Sequence, residues 1–128
     1  MITSRRLDAP GDRPQILEEA RGTDFLERSC LVPRDLASFA GHFPGAPVVP
    51  GVLQLDWAMD GIAALLGKTP GITRIESLKF RAPLKPGARC RLEVRIGRDG
   101  VVDFRIWNEG SEHAKGRLRL EAARGRRP

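Results

Sequence analysis

One of the two histidines in the chain, His42, stands inside Phe39-Ala-Gly-His-Phe-Pro-Gly-Ala-Pro-Val-Val-Pro-Gly51, and a carboxylate, Asp56, follows it by fourteen residues. An imidazole titrates near pH 6.5 when unperturbed, so His42 can accept and return a proton at neutral pH. A carboxyl group becomes the matching acid when its surroundings hold the proton on it. The loop is dense in glycine and proline, which costs conformational freedom, and a carboxylate on an apolar stretch costs desolvation. Residue types that cost stability in two ways at once point to a site of acid–base chemistry rather than to scaffold.

The surroundings of Asp56 pull in both directions. Leu55, Trp57 and Met59 flank it and disfavour its charged form. Asp60 lies four residues on, on the same helical face, and a like charge there acts in the same sense. The start of the helix at Pro50-Gly51 opposes both, because the positive end of the dipole favours a carboxylate. The sequence leaves that balance open. The same helix start has N–H groups without intrahelical partners, which can donate to an oxygen as charge develops on it. Glycine at position 51 permits a close approach to the backbone.

Elements able to position these groups can be read from periodicity. Val52, Leu55, Met59, Ile62 and Leu66 recur at helical spacing, and alanines and Leu65 fill other faces, so the helix is apolar nearly all round and is expected to be buried. Pro50 suits its first turn, and Gly67 with Pro70 ends it. Before it, Ile16 to Glu19 and Asp24 to Val32 read as extended, and Arg34 to Ala40 as a single helical turn. After it, Ile72 to Phe80 is strand-like up to Pro83, and Lys85-Pro-Gly87 is a turn. Cys90, Leu92, Val94 and Ile96 alternate strictly with charged residues, as do Val102, Phe104 and Ile106 across the Arg98-Asp99-Gly100 turn. Asn108-Glu109-Gly110 turns again into a last strand through Ala114, Gly116, Leu118 and Leu120, on which His113 reads as exposed. The expectation is one α+β domain over residues 1–128, with its core at about 14–122 and loose termini. A meander of antiparallel strands follows one long central helix, and the earlier strands complete the sheet. A helix apolar all round is hidden only if the sheet curls about it, which is the outline of a hotdog fold.

The length of 128 residues fits a single domain with a real core, and 41% hydrophobic against 30% charged residues excludes a disordered chain. No apolar run reaches the roughly 18 residues needed to span a bilayer, and Arg5-Arg6 precede no apolar stretch, so neither a membrane span nor a signal peptide is expected. Cys30 and Cys90 have no metal-like spacing and read as small buried hydrophobes of a reducing cytosol; no metal site is expected. The net charge of +6 favours an acidic partner. With five Phe, two Trp and no Tyr, none interleaved with the basic residues, an acidic carrier protein fits better than nucleic acid.

Gly41-His-Phe-Pro-Gly-Ala-Pro-Val-Val-Pro-Gly-Val-Leu53 resembles the signature of the 3-hydroxyacyl-carrier-protein dehydratases of fatty acid synthesis. Ile75-Glu-Ser-Leu-Lys-Phe-Arg-Ala-Pro-Leu-Lys-Pro-Gly87 resembles the strand and turn that follow, so the similarity covers roughly residues 23–122. Two features depart from the housekeeping members. Gln54 and Trp57 flank Asp56 in a pattern more similar to the dehydratases of aryl-polyene pigment pathways, and Asp60 stands where housekeeping enzymes usually carry Gln.

The resemblance implies removal of water from a 3-hydroxyacyl thioester on a carrier protein, with His42 as base and Asp56 as acid. It further implies the Gly51 N–H as oxyanion donor, the Val48 carbonyl orienting the His42 ring, and Phe43, Pro50, Trp57 and Asp60 around the substrate. No cofactor is implied beyond the carrier's own phosphopantetheine. The family completes its catalytic pair across a two-fold dimer, so a homodimer or higher homo-oligomer in the cytoplasm is expected. Lys79, Arg81 and Lys85 are candidates for docking the carrier. The alternatives are a hotdog acyl thioesterase, against which the histidine loop counts, and a catalytically silent acyl-binding subunit.

Overall fold

A computed structural model describes residues 10–39 and 47–121. The histidine loop's His42 and Phe43 lie outside the described residues, as does the chain beyond Glu121. A short 3₁₀ turn at Pro10–Asp12 leads into β1 (Gln15–Arg21) and β2 (Phe25–Leu31). A second 3₁₀ turn, Ala37–Phe39, replaces the helical turn expected there, and α1 runs Gly51–Leu66. Then come β3 (Ile72–Phe80), β4 (Arg89–Ile96), β5 (Val101–Asn108) and β6 (Ser111–Leu120).

The limits of α1 follow from its ends. Pro50 sits at the N-cap, where its missing N–H does no harm, and its carbonyl accepts the Leu53 and Gln54 N–H groups at 3.0 and 3.1 Å. Gly67 takes φ 77°, a left-handed conformation costly for any residue with a Cβ, and donates its N–H to the Ala63 carbonyl at 2.8 Å. Among the described residues, no helix is long and apolar enough to cross a membrane.

All six strands are antiparallel, in the order β1-β2-β4-β5-β6-β3, and the sheet is not closed. The expected meander therefore holds for β4–β5–β6 but not for β3, which pairs with β6 at the far edge. The link from β3 to β4 runs across one end of the sheet. Arg81 and Ala82 donate to the His113 and Glu112 carbonyls, and Val32 and Gly87 then bond the Ala88 and Val32 carbonyls beside β2. Two register shifts in β3 account for its imperfect alternation. A further shift, where Trp107 faces Glu112, places His113 and Ala114 both inside. His113 is consequently 4% exposed, contrary to its reading as a surface residue, and its Nδ1 donates to the Ala82 carbonyl at 3.0 Å.

The helix lies over β2, β4 and β5. Ala58 and Ile62 are fully buried there in one cluster with Leu26, Leu92, Val94 and Ile106, and each of the larger aliphatic side chains contributes about 1.5–3 kcal/mol. The sheet covers one side of α1; on the other side Val52 is 66% exposed. At the β3 edge, Ile75 and Phe80 stand opposite the core residues Leu118 and Ala114, so they face the same side as the helix, 49% and 44% exposed.

Candidate active site

Asp56 lies one and a half turns into α1, and its side chain helps to line a cavity between the helix and the sheet. Trp57 and Asp60 share that wall with it, Arg28 and Cys30 enter from β2, Cys90 from β4, and Asp12 to Pro14 lie across it. The free room is about 20 Å³, enough for one water-sized group. Most of the wall is apolar, so a charge inside is weakly solvated and each polar contact counts for more.

The turn at Pro10–Asp12 is fastened down rather than loose. The Asp12 carboxylate accepts the Ser38 N–H and hydroxyl, each at 2.9 Å, and the Asp12 carbonyl accepts the Trp57 indole N–H at 2.9 Å. Trp57 is thus both core and cavity wall. Its polar edge is satisfied by the segment that covers the cavity.

Asp60 belongs to an ion-pair chain. Arg28, on the inward face of β2 and only 8% exposed, donates through Nη1 to Asp60 at 3.0 Å and through Nε to Glu19 at 2.8 Å. Arg13 reaches Asp60 at 3.9 Å, and Arg21 pairs with Glu19. Hydrogen bonds from Arg21 and Arg28 lower the Glu19 pKa. Burial acts to deprotonate Arg28, but its two carboxylate partners outweigh this and its pKa is raised. The repulsion that Asp60 exerts on Asp56 is accordingly offset by a guanidinium that its own element does not contain.

The segment that joins the histidine loop to the helix is pinned. The Val49 N–H donates to the Leu84 carbonyl at 2.8 Å, and the Val49 carbonyl accepts Gln54 Nε2 at 3.2 Å. Val48 and Pro50, on either side, are half-buried. A Cβ on Gly51 would lie 2.9 Å from the Phe80 ring, so glycine here lets β3 pack over the first helical turn. Lys79, Arg81 and Lys85 are exposed and line no part of the cavity, and Arg81 stands 3.5 Å from Glu112.

Of the residues singled out by sequence, the structure brings Asp56, Trp57 and Asp60 together at the helix and holds Val48, Pro50 and Gly51 at its start. Sequence reasoning missed Arg28 and Asp12. The signal for Arg28 was its phase: it alternates inward with Leu26, Cys30 and Val32, and a charge in that phase needs buried partners. Asp12 gave no comparable signal.

The sequence profile of the ApeI-like family, described as ApeI dehydratase, matches residues 18–117. A 3-hydroxyacyl-acyl-carrier-protein dehydratase FabZ from Thermomicrobium roseum is 46% identical over 67 residues, which are 47% of this chain and 45% of that protein. The aligned chain thus spans about half the length of that curated relative. A FabZ from Nitratidesulfovibrio vulgaris is 34% identical over 109 residues, covering 77% of this chain and 69% of that one. Among solved structures, the dehydratase heterocomplex ApeI:P from Xenorhabdus doucetiae has a chain that superposes with a TM-score of 0.79 at 27% identity. That match covers 86% of this chain and 99% of the other. With one α-helix against an unclosed antiparallel sheet of six strands among the described residues, and this profile over most of its length, the chain belongs to the ApeI-like family of hotdog-fold dehydratases.

Proposed function

We propose that the protein dehydrates 3-hydroxyacyl chains carried on acyl carrier protein to trans-2-enoyl chains, in fatty acid or aryl-polyene-type biosynthesis in the cytoplasm. The observation that carries this reading is Asp56 in the wall of a largely apolar cavity beside the start of α1, within a chain of a dehydratase family. His42 takes the weakly acidic C2 proton, and Asp56 gives its proton to the C3 hydroxyl, which leaves as water. The N–H groups at Gly51 receive the thioester oxygen while charge builds on it. Loss of water changes no oxidation state overall, so the chemistry calls for no cofactor. The carrier docks through Lys79, Arg81 and Lys85, whose charge suits an acidic surface.

A second copy supplies the other half of the site. The helix lies over β2, β4 and β5 and meets β3 where Phe80 packs on Gly51, and Val52, Ile75 and Phe80 stay largely exposed along that edge. An uncovered edge strand with an apolar flank favours pairing across a two-fold axis. The Xenorhabdus protein belongs to a dehydratase heterocomplex, which makes a distinct partner subunit the rival occupant.

The test follows two products from a 3-hydroxyacyl thioester on carrier protein. Enoyl product without free thiol supports dehydration; free thiol without enoyl indicates a thioesterase; neither, with acyl binding retained, indicates a silent subunit. Asp56→Asn and His42→Ala each lower turnover by at least about a hundredfold if they are the acid and base. Rates like the wild type in either variant overturn that assignment.

A further inference from the structure

Cys30 and Cys90 are direct partners in the β2–β4 register, sixty residues apart in sequence, and both thiols are free and buried. The register runs from Phe25↔Arg95 to Leu31↔Arg89 without a shift. At its two ends Ile96 donates to the Asp24 carbonyl and Val32 to the Ala88 carbonyl, each at 2.8 Å. Hydrogen-bonded pairs recur at every second residue of an antiparallel ladder, so Cys30 and Cys90 form such a pair, with Cα atoms about 5.5 Å apart. Opposite residues project to one face, and that spacing falls within the range of about 4.4–6.8 Å bridged by disulfides. Both residues line the cavity that Asp56 and Arg28 line.

We propose that Cys30 and Cys90 are a modification site: a dithiol that a small peroxide closes reversibly to a cross-strand disulfide in the cavity wall. Cys30 and Cys90 also line a second, open cavity of about 750 Å³ on the sheet, through which a small peroxide can approach the pair. The two sulfurs are unequal. The Cys90 thiol, hydrogen-bonded towards Cys30, lowers the Cys30 pKa, and the Arg28 charge acts in the same sense against burial. Cys90 is pushed upward by the same hydrogen bond and by burial. Arg28 stands two residues from Cys30 on the same inward face of β2, and its positive charge favours a thiolate there, so Cys30 is the attacking sulfur.

Its thiolate attacks one peroxide oxygen, the O–O bond breaks, and the hydroxide released takes a proton to leave as water. Cys30 is left as a sulfenic acid. The Cys90 sulfur then attacks the Cys30 sulfur and displaces hydroxide, which takes the Cys90 proton and leaves as a second water. The peroxide is reduced by two electrons and the two thiols are oxidised by two. In a hydrogen-bonded pair the Cβ atoms stand at the wide end of about 4.5–5.5 Å, beyond the roughly 3.5–4.5 Å of a relaxed disulfide. β2 and β4 must therefore draw together locally to close the bond, which is strained and returns readily to thiols.

Folded, reduced protein is treated with hydrogen peroxide and its intact mass is followed, with the fold monitored by circular dichroism. The expected result is a loss of about 2 Da, a peptide map linking the Cys30 and Cys90 segments within one chain, and full reversal by dithiothreitol. In Cys90→Ser the Cys30 sulfur gains about 16 Da instead, and in Cys30→Ser the remaining thiol reacts at least about tenfold more slowly. The proposal is overturned by mass gains without the 2 Da loss, by a bond that forms only in urea, or by links only between chains. If a serine variant does not fold, the wild-type mass decides alone. This readout does not involve turnover, so it stands or falls separately from the dehydratase reading.

Discussion

Arg28→Met removes a nearly buried guanidinium while keeping most of its aliphatic volume, and takes from Asp60 its nearest cation and from Glu19 one of its two arginine partners. The lost bonds are those to Glu19 at 2.8 Å and to Asp60 at 3.0 Å. Breaking a fully buried ion pair from one side costs about 3–5 kcal/mol. Here the Glu19 and Asp60 side chains are 27% and 32% exposed, so water reaches both, and Arg21 and Arg13 remain nearby. Discounting for that solvation brings the expected cost to about 2 kcal/mol. Unfolding entropy of about 2.1 cal/mol/K per residue over 128 residues converts this to a Tm lower by about 7 °C. Urea titration at pH 7 and fixed protein concentration measures it, and an unchanged m-value shows that only stability has moved. Asp60→Asn in the Arg28→Met background removes the stranded charge, so the double variant is less damaged than the sum of the singles by about 1 kcal/mol. An Arg28→Met stability within about 0.5 kcal/mol of wild type, or strict additivity, refutes the view that this arginine neutralises Asp60.

Three further outcomes follow from other contacts. The Glu19 pKa lies below its ordinary 4.5. Its stabilisation is therefore complete above that value and is lost as pH falls through the lower, folded-state pKa; Glu19→Gln flattens the decline of urea midpoints below about pH 4.5. A Cβ on Gly116 would lie 2.5 Å from the Phe104 ring and 3.1 Å from Leu78, so Gly116→Ala costs about 1–3 kcal/mol, and an unchanged thermal midpoint contradicts this packing. Ile75→Lys places a charge on the exposed apolar edge beside β3, and sedimentation at micromolar concentration is expected to show the proposed dimer fall to half its mass; an unaltered mass moves the interface elsewhere.

Local features were legible where each residue's neighbours in sequence are also its neighbours in space. The helix between Pro50 and Gly67, and the alternation of β4, β5 and β6, depend on short-range periodicity and turn chemistry. The segment from Gly41 to Leu53, with Asp56 after it, carried enough residue types at fixed spacing to resemble one family and its chemistry, and the family match bears out that resemblance. Strand order was not legible, because pairing β3 with β6 rather than β4 is decided by how the link through Arg81 to Ala88 crosses the end of the sheet.

What the sequence alone determined is therefore the set of elements and the candidate acid and base. Only the tertiary structure decided their surroundings: Arg28 beside Asp60, Asp12 over Trp57, His113 turned inward by a bulge, and Cys30 set against Cys90. Each of these joins residues of separate elements, and no periodicity within one element records a register between two. Electrostatics and packing at the site act over a few ångströms of space, across tens of residues of chain.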